Sequence, residues 1–221
     1  MVSLKSKLRG KLMSSHGARK NTNNTIWVTY SAKLNRDIAL ASNSECIYWA
    51  ACLEVNPQIK SFEFGCIVDL KAKTGDEFRK NEMIRIELAD GGLEFHGLSG
   101  GDGGEICMEA IIKVDGTERN IICVNVFDDY IAERSRAATR YLQLVAYTAQ
   151  IRNEICDIEC QTLRLIVRTL GYGTVNKVLV MTEMHDPMLI LGVLSRMILS
   201  GELVVDIMER PFGRHTLWRL A

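Results

Sequence analysis

Proline is scarce, three residues in 221, so little in the chain forces a helix or strand to break. No C-x-x-C pair occurs among the seven cysteines, which removes the usual zinc and dithiol-redox spacings. No apolar run approaches the ~20 residues needed to cross a bilayer, and the basic opening Met1–Lys20 has no apolar stretch of the secretory kind. A cytoplasmic protein without membrane contact is therefore expected. The most informative absence is acidic. Lys5, Lys7, Arg9, Lys11, Arg19, Lys20, Lys33 and Arg36 all precede the first carboxylate, Asp37. Beyond Arg36, 19 basic residues face all 27 acidic ones, so zero net charge conceals a basic arm on a body of net charge −8. Such an arm can clasp phosphates, and it can equally be a solubilising tail.

What is present is a foldable composition, 47% hydrophobic and 24% charged. The length allows two small domains, or one with an appendage. Three regions are expected: a basic flexible arm over 1–25, an α/β domain over 26–160 and a smaller module over 161–221. The cysteines lie in apolar stretches and read as buried reduced thiols. Cys156 and Cys160 fall in an apparent strand, Ile155–Cys160, where core packing outweighs metal binding.

Ile26–Tyr30 is strand-like. Ser42-Asn43-Ser44-Glu45 has capping-box spacing and opens a helix over about Ser44–Val55, apolar nearly all round and stopped by Asn56-Pro57. Strands follow at Ile59–Leu70, Met83–Leu88, Leu93–Leu98, Ile106–Val114 and Asn120–Phe127, with Asp115-Gly116 the clearest hairpin signal. A helix from about Tyr130 to Arg152 carries Arg134, Arg136 and Arg140. Further on, Thr162–Leu170 and Pro187–Ser200 read as helices, the second capped by Asp186 with Pro187 at its first position. Glu202–Met208 and Thr216–Leu220 form a hairpin around a basic tip, Arg210, Arg214 and His215. The order predicts a mixed α/β core followed by a winged-helix-like module.

The segment Leu40–Glu63, with Glu45 on its buried helix, resembles the opening of TnsA proteins, the endonuclease subunits of heteromeric Tn7-type transposases. Met108–Gly116 followed by Asn120–Val126 is similar to that family's metal hairpin. The pattern covers about residue 26 to the end. It implies a restriction-endonuclease-like mixed sheet flanked by helices, and 5′-strand cleavage at transposon ends beside a DDE-type transposase and an AAA+ regulator. It also implies Mg²⁺ held by Glu45 and Glu109, the carboxylates that a phosphodiester-cutting site requires. Cys123 and Asn125 stand where the family has Glu or Gln and Lys. Thiolate is a poor Mg²⁺ ligand and Asn carries no charge, so the catalytic set Glu45, Glu109, Cys123 and Asn125 is a degenerate one. Lys113, Asp128 and Asp129 are possible substitutes.

Each of these residues also has a plainer role. Glu45 suits the capping box, and Glu109 suits a solvent-facing strand. Glu94 and His96 share a strand face and fit either a site or a polar sheet surface. Gly100–Gly104 lacks the Lys-Ser/Thr of a phosphate loop and reads as a flexible hairpin turn. The alternative to a nuclease is a non-enzymatic DNA-binding or assembly protein that uses the arm (Lys5, Lys7, Arg9, Lys11, Arg19 and Lys20), Arg196 on the second helix and the tip (Arg210, Arg214 and His215). Pro187–Leu199 is too apolar to read bases in a major groove, so contacts between proteins suit it better.

Overall fold

The computed structural model describes residues 26–72, 77–114, 117–208 and 210–221. The chain is mixed α/β and divides into two compact units, the second inserted into the sequence of the first. The first combines residues up to Pro57 with Ser135–Ala221, and the second is Gln58–Arg134. Boundaries drawn from composition run along the chain and cannot express such an insertion. The basic arm lies outside the described residues. Among the described residues no helix is long and apolar enough to cross a membrane.

The first unit begins with a hairpin, β1 (Trp27–Ser31) and β2 (Arg36–Leu40), paired antiparallel with Ser31 opposite Arg36. Helix α1 (Asn43–Tyr48) starts as the capping pattern predicts: Ser42 Oγ accepts the Glu45 N–H at 3.1 Å, and the Glu45 carboxylate accepts the Ala41 N–H. The helix does not run on to Val55 as α-helix, because Trp49–Leu53 widens into a π-helical turn in which the Glu54 N–H donates to the Trp49 carbonyl at 2.8 Å. That extra residue brings Glu54 back to the indole of Trp49, whose Nε1 donates to its carboxylate at 2.9 Å. The Ser31 hydroxyl at 2.7 Å and the Lys33 N–H at 2.9 Å donate to the same carboxylate. Glu54 is 1% exposed, so these donors stand in for its lost hydration.

Helix α3 (Ser135–Gln150), which follows the short α2 (Asp128–Glu133) of the second unit, is the spine of the first unit. It packs on β1, α1 and the π-turn, and also on α6 (Pro187–Leu199). Asp186 and Pro187 start α6 as expected, the Asp186 carboxylate accepting the Met188 N–H at 2.7 Å. From Ile190 onward α6 is buried except for half-buried Leu191 and Arg196. A Cβ at Gly192 would stand 2.6 Å from Ile151 Cδ1, so only glycine allows this approach.

Around α6 lie α4 (Asp157–Leu170), β8 (Tyr172–Thr174), α5 (Val175–Met181), β9 (Leu203–Val205) and β10 (Leu217–Leu220), the strands pairing antiparallel in the order β8-β10-β9. The segment Ile155–Cys160, expected to be a strand, instead runs into α4. Cys160 N–H donates to the Cys156 carbonyl at 2.8 Å, and Cys156, Leu163 and Val167 are buried on a helical period. Asp157 and Glu159 in the first turn favour this start electrostatically.

The second unit is a five-stranded mixed sheet of β3 (Ile59–Ala72), β4 (Arg79–Leu88), β5 (Leu93–Ser99), β6 (Glu105–Val114) and β7 (Thr117–Phe127). All five strands were anticipated, but not their closure into a barrel in the order β3-β4-β5-β7-β6. β5 and β7 run parallel. Closure depends on β3, which is 14 residues long and bulged between Glu63 and Cys66, so that its far end Asp69–Ala72 pairs with Ala110–Lys113 of β6. Met83, Phe95, Ala110, Ile112 and Cys123 fill the interior. The opposite sheet face also buries Phe62, Ile84, Ile86, Val124 and Val126. Gly100–Gly104 is not a hairpin turn, since β5 and β6 are separated by β7. It is a pinned crossover: the Asp129 carboxylate accepts the N–H groups of Gly103 at 3.1 Å and Gly104 at 2.9 Å, and these bonds, Gly104's first, hold Asp129 below the usual carboxylate pKa.

Glu54→Ala would leave the Trp49 indole, the Ser31 hydroxyl and the Lys33 amide without their buried acceptor. Urea unfolding is expected to show a loss of about 3 kcal/mol, and a smaller loss for Glu54→Gln, which retains one acceptor oxygen.

Candidate functional site

Three of the four nominated catalytic residues, Glu109, Cys123 and Asn125, lie on the hairpin of β6 and β7, so its register decides what they can do. Met108 pairs with Cys123 and Glu109 with Ile122. Directly paired residues lie on one side of a sheet and successive residues alternate. Glu109 and Ile122 therefore occupy one face, while Cys123, Asn125 and Met108 occupy the other.

On the first face Glu109 is exposed, and Ile122 separates it from Glu94, its opposite number on β5. Two strand spacings put the Glu94 and Glu109 backbones roughly 10 Å apart, with an isoleucine between them. Glu94 instead holds His96 of its own strand, Oε2 to Nε2 at 3.0 Å. His96 is only 6% exposed, and burial keeps its pKa below the usual histidine value against the opposing pull of Glu94 and Glu105. Glu105 and Cys107 complete this face, both exposed.

On the second face Cys123 is 1% exposed among the interior residues, and burial pushes its thiol up to about 11. Asn125 lies over Gly97, where an added Cβ would stand 3.1 Å from Asn125 Oδ1, and its amide reaches Met108 Sδ at 3.9 Å. Cys123 is thus buried in the core, while Asn125 is half-buried beside exposed Met108; neither carries charge. Lys113 is exposed at the far end of β6 and pairs in register with Glu118. Asp129 is committed to Gly103 and Gly104.

Glu45 belongs to the first compact unit and Glu109 to the second. The Glu45 carboxylate closes the start of α1 on Ala41. Among the described residues no three His, Cys, Asp or Glu side chains are grouped as metal ligands. Hard-oxygen coordination of Mg²⁺ needs several such ligands around one point, and within the second unit Glu109 stands on the face opposite Cys123 and Asn125.

Arg210 and Arg214 are exposed on the loop between β9 and β10. Lys5, Lys7, Arg9, Lys11, Arg19 and Lys20 lie outside the described residues. None of the seven cysteines forms a disulfide, and they are not uniformly buried: Cys107 is exposed because its position on β6 faces outward. Two features escape a reading of the sequence. Glu54 is hidden because nothing local distinguishes an acid that follows a buried helix from a solvated one. The anchoring of the β9–β10 loop on α3 is hidden because it joins segments far apart in the chain.

No protein-family model matches the chain, and no curated protein matches it either.

At pH 8 iodoacetamide should modify Cys107 readily and Cys123 at least ~100-fold more slowly, because the thiolate is the reactive form and both burial and the raised pKa suppress it. Peptide mapping before and after denaturation measures this. Equal rates in the folded chain would overturn the assigned faces.

Proposed function

We propose that this chain is a DNA-binding assembly subunit of a transposition-type complex, the scaffold form of a TnsA-like protein in which strand cleavage has been lost. The observation that carries the reading is the division of the nominated residues: Glu109 on one face of the β6–β7 pair, Cys123 and Asn125 on the other, and Glu45 engaged in a helix cap. The second unit has the mixed pairing that the resemblance implies, β5 and β7 running parallel, but closes into a barrel where a sheet flanked by helices was expected. The order α4, β8, α5, α6, β9, β10 with the sheet β8-β10-β9 supports a winged-helix module, its wing being the loop of Arg210 and Arg214.

In such modules the helix in the place of α6 enters the major groove. Here that helix is buried along most of its length, so the module would hold DNA through phosphates and leave base reading to partner proteins. A DDE-type transposase and an AAA+ regulator are the partners that the resemblance suggests. In this reading Mg²⁺ belongs to the partner's chemistry.

Cleavage of supercoiled and end-labelled DNA with Mg²⁺ or Mn²⁺, with and without a cognate transposase, tests the reading. The chain should retain DNA and make no metal-dependent 5′ cut, and Glu109→Ala should behave as wild type. Cuts that disappear in Glu109→Ala, with the variant's fold intact by circular dichroism, would overturn it.

A further inference from the structure

One stripe of α3 joins two parts of the first unit that the sequence keeps apart. Arg136, Arg140, Gln143 and Tyr147 follow one another at helical spacings of four, three and four residues, and so line a single side of α3. The last two hold the wing: Gln143 Nε2 donates to the Phe212 carbonyl at 2.9 Å, and the Tyr147 and Phe212 rings meet edge to face at 5.8 Å. Phe212 is itself buried, so it anchors the loop. The other end of the wing is fastened to the start of α5, where the Asn176 N–H donates to the Arg214 carbonyl at 2.8 Å and the Val175 N–H to the Thr216 carbonyl at 3.0 Å. The wing is thus held at both ends, and Arg136 and Arg140 continue the stripe beyond the point where Phe212 is seated.

Arg134, Arg152 and Arg164 each form an ion pair with a carboxylate. Among the described residues the side chains of Arg136, Arg140, Lys177, Arg210 and Arg214 form none. Arg136, Lys177, Arg210 and Arg214 are exposed and Arg140 is half-buried. Keeping unpaired guanidinium groups side by side costs repulsion, which a polyanion relieves.

We propose that Arg136 and Arg140 of α3, with Arg210 and Arg214 of the wing and Lys177 beside it, form one surface that tracks the phosphate backbone of duplex DNA. The assignment rests on the DNA-binding reading above and adds the α3 arginines to it. Guanidinium groups on a rigid helix and a pinned loop hold phosphates with little ordering cost, and none of them reads bases.

The test is fluorescence anisotropy of a labelled duplex of about 30 base pairs with the full chain across a salt series. It compares wild type, Arg136→Gln/Arg140→Gln and Arg210→Gln/Arg214→Gln; glutamine preserves the side-chain stem, and circular dichroism monitors the fold. Each double variant should weaken binding roughly tenfold at low salt, equally for unrelated sequences, and reduce the slope of log affinity against log salt by about 1.8. Loss in the wing variant alone would overturn the α3 part of the surface and leave the DNA-binding reading intact. Wild-type affinity in both variants would assign binding elsewhere, such as the basic arm, and overturn the surface. No duplex binding by the wild type would overturn both the surface and the functional reading.

Discussion

The pairing of Glu109 with Ile122 and of Met108 with Cys123 is the constraint on which both the barrel and its chemistry depend. β7 joins β5 to β6, and β6 returns to β3, so sliding this hairpin by one residue would turn Ala110, Ile112 and Cys123 out of the interior and open the barrel. The same alternation keeps a carboxylate at 109 and the side chains at 123 and 125 on opposite faces. A cysteine is at home in that interior, where a glutamate would bring an unpaired charge. The departure from the TnsA-like pattern is therefore consistent with the packing: position 123 serves the core.

In the first unit α3 has a comparable role. One side rests on the π-turn and β1, where the Glu54 carboxylate gathers donors from a hydrogen-bonded turn, a hydroxyl and an indole. Another side receives α6, so closely that Gly192 has no room for a methyl group. A third carries Gln143 and Tyr147 against the wing. In the proposed winged-helix reading, burial of α6 removes the element that ordinarily reads DNA and leaves Arg210 and Arg214 exposed to meet phosphates.

Much of this fold was legible wherever structure is local. The strands from Ile59 to Phe127 show in their alternation, the hairpin at Asp115-Gly116 falls where Val114 pairs with Thr117, and Asp186-Pro187 starts α6. What could not be seen depends on distant partners. Barrel closure needs Asp69–Ala72 to meet Ala110–Lys113, a pairing without a local signal. Ile155–Cys160 reads as a strand because its apolar residues alternate over a short window, and it is helical because Cys156, Leu163 and Val167 share one buried side over a longer one. Of the nominated site, the poor fit of cysteine and asparagine to Mg²⁺ chemistry was legible, but not which face each residue occupies. The opposed faces were implicit in the register, and the unpaired arginines beside the wing needed the fold.

The most direct measurement is anomalous scattering from crystals of the chain bound to duplex DNA and soaked in Mn²⁺, an ion that takes the same oxygen ligands as Mg²⁺. The account predicts phosphates along Arg136, Arg140 and the wing, with no manganese at Glu45 or Glu109. A manganese ion coordinated by both carboxylates and a DNA phosphate would contradict it.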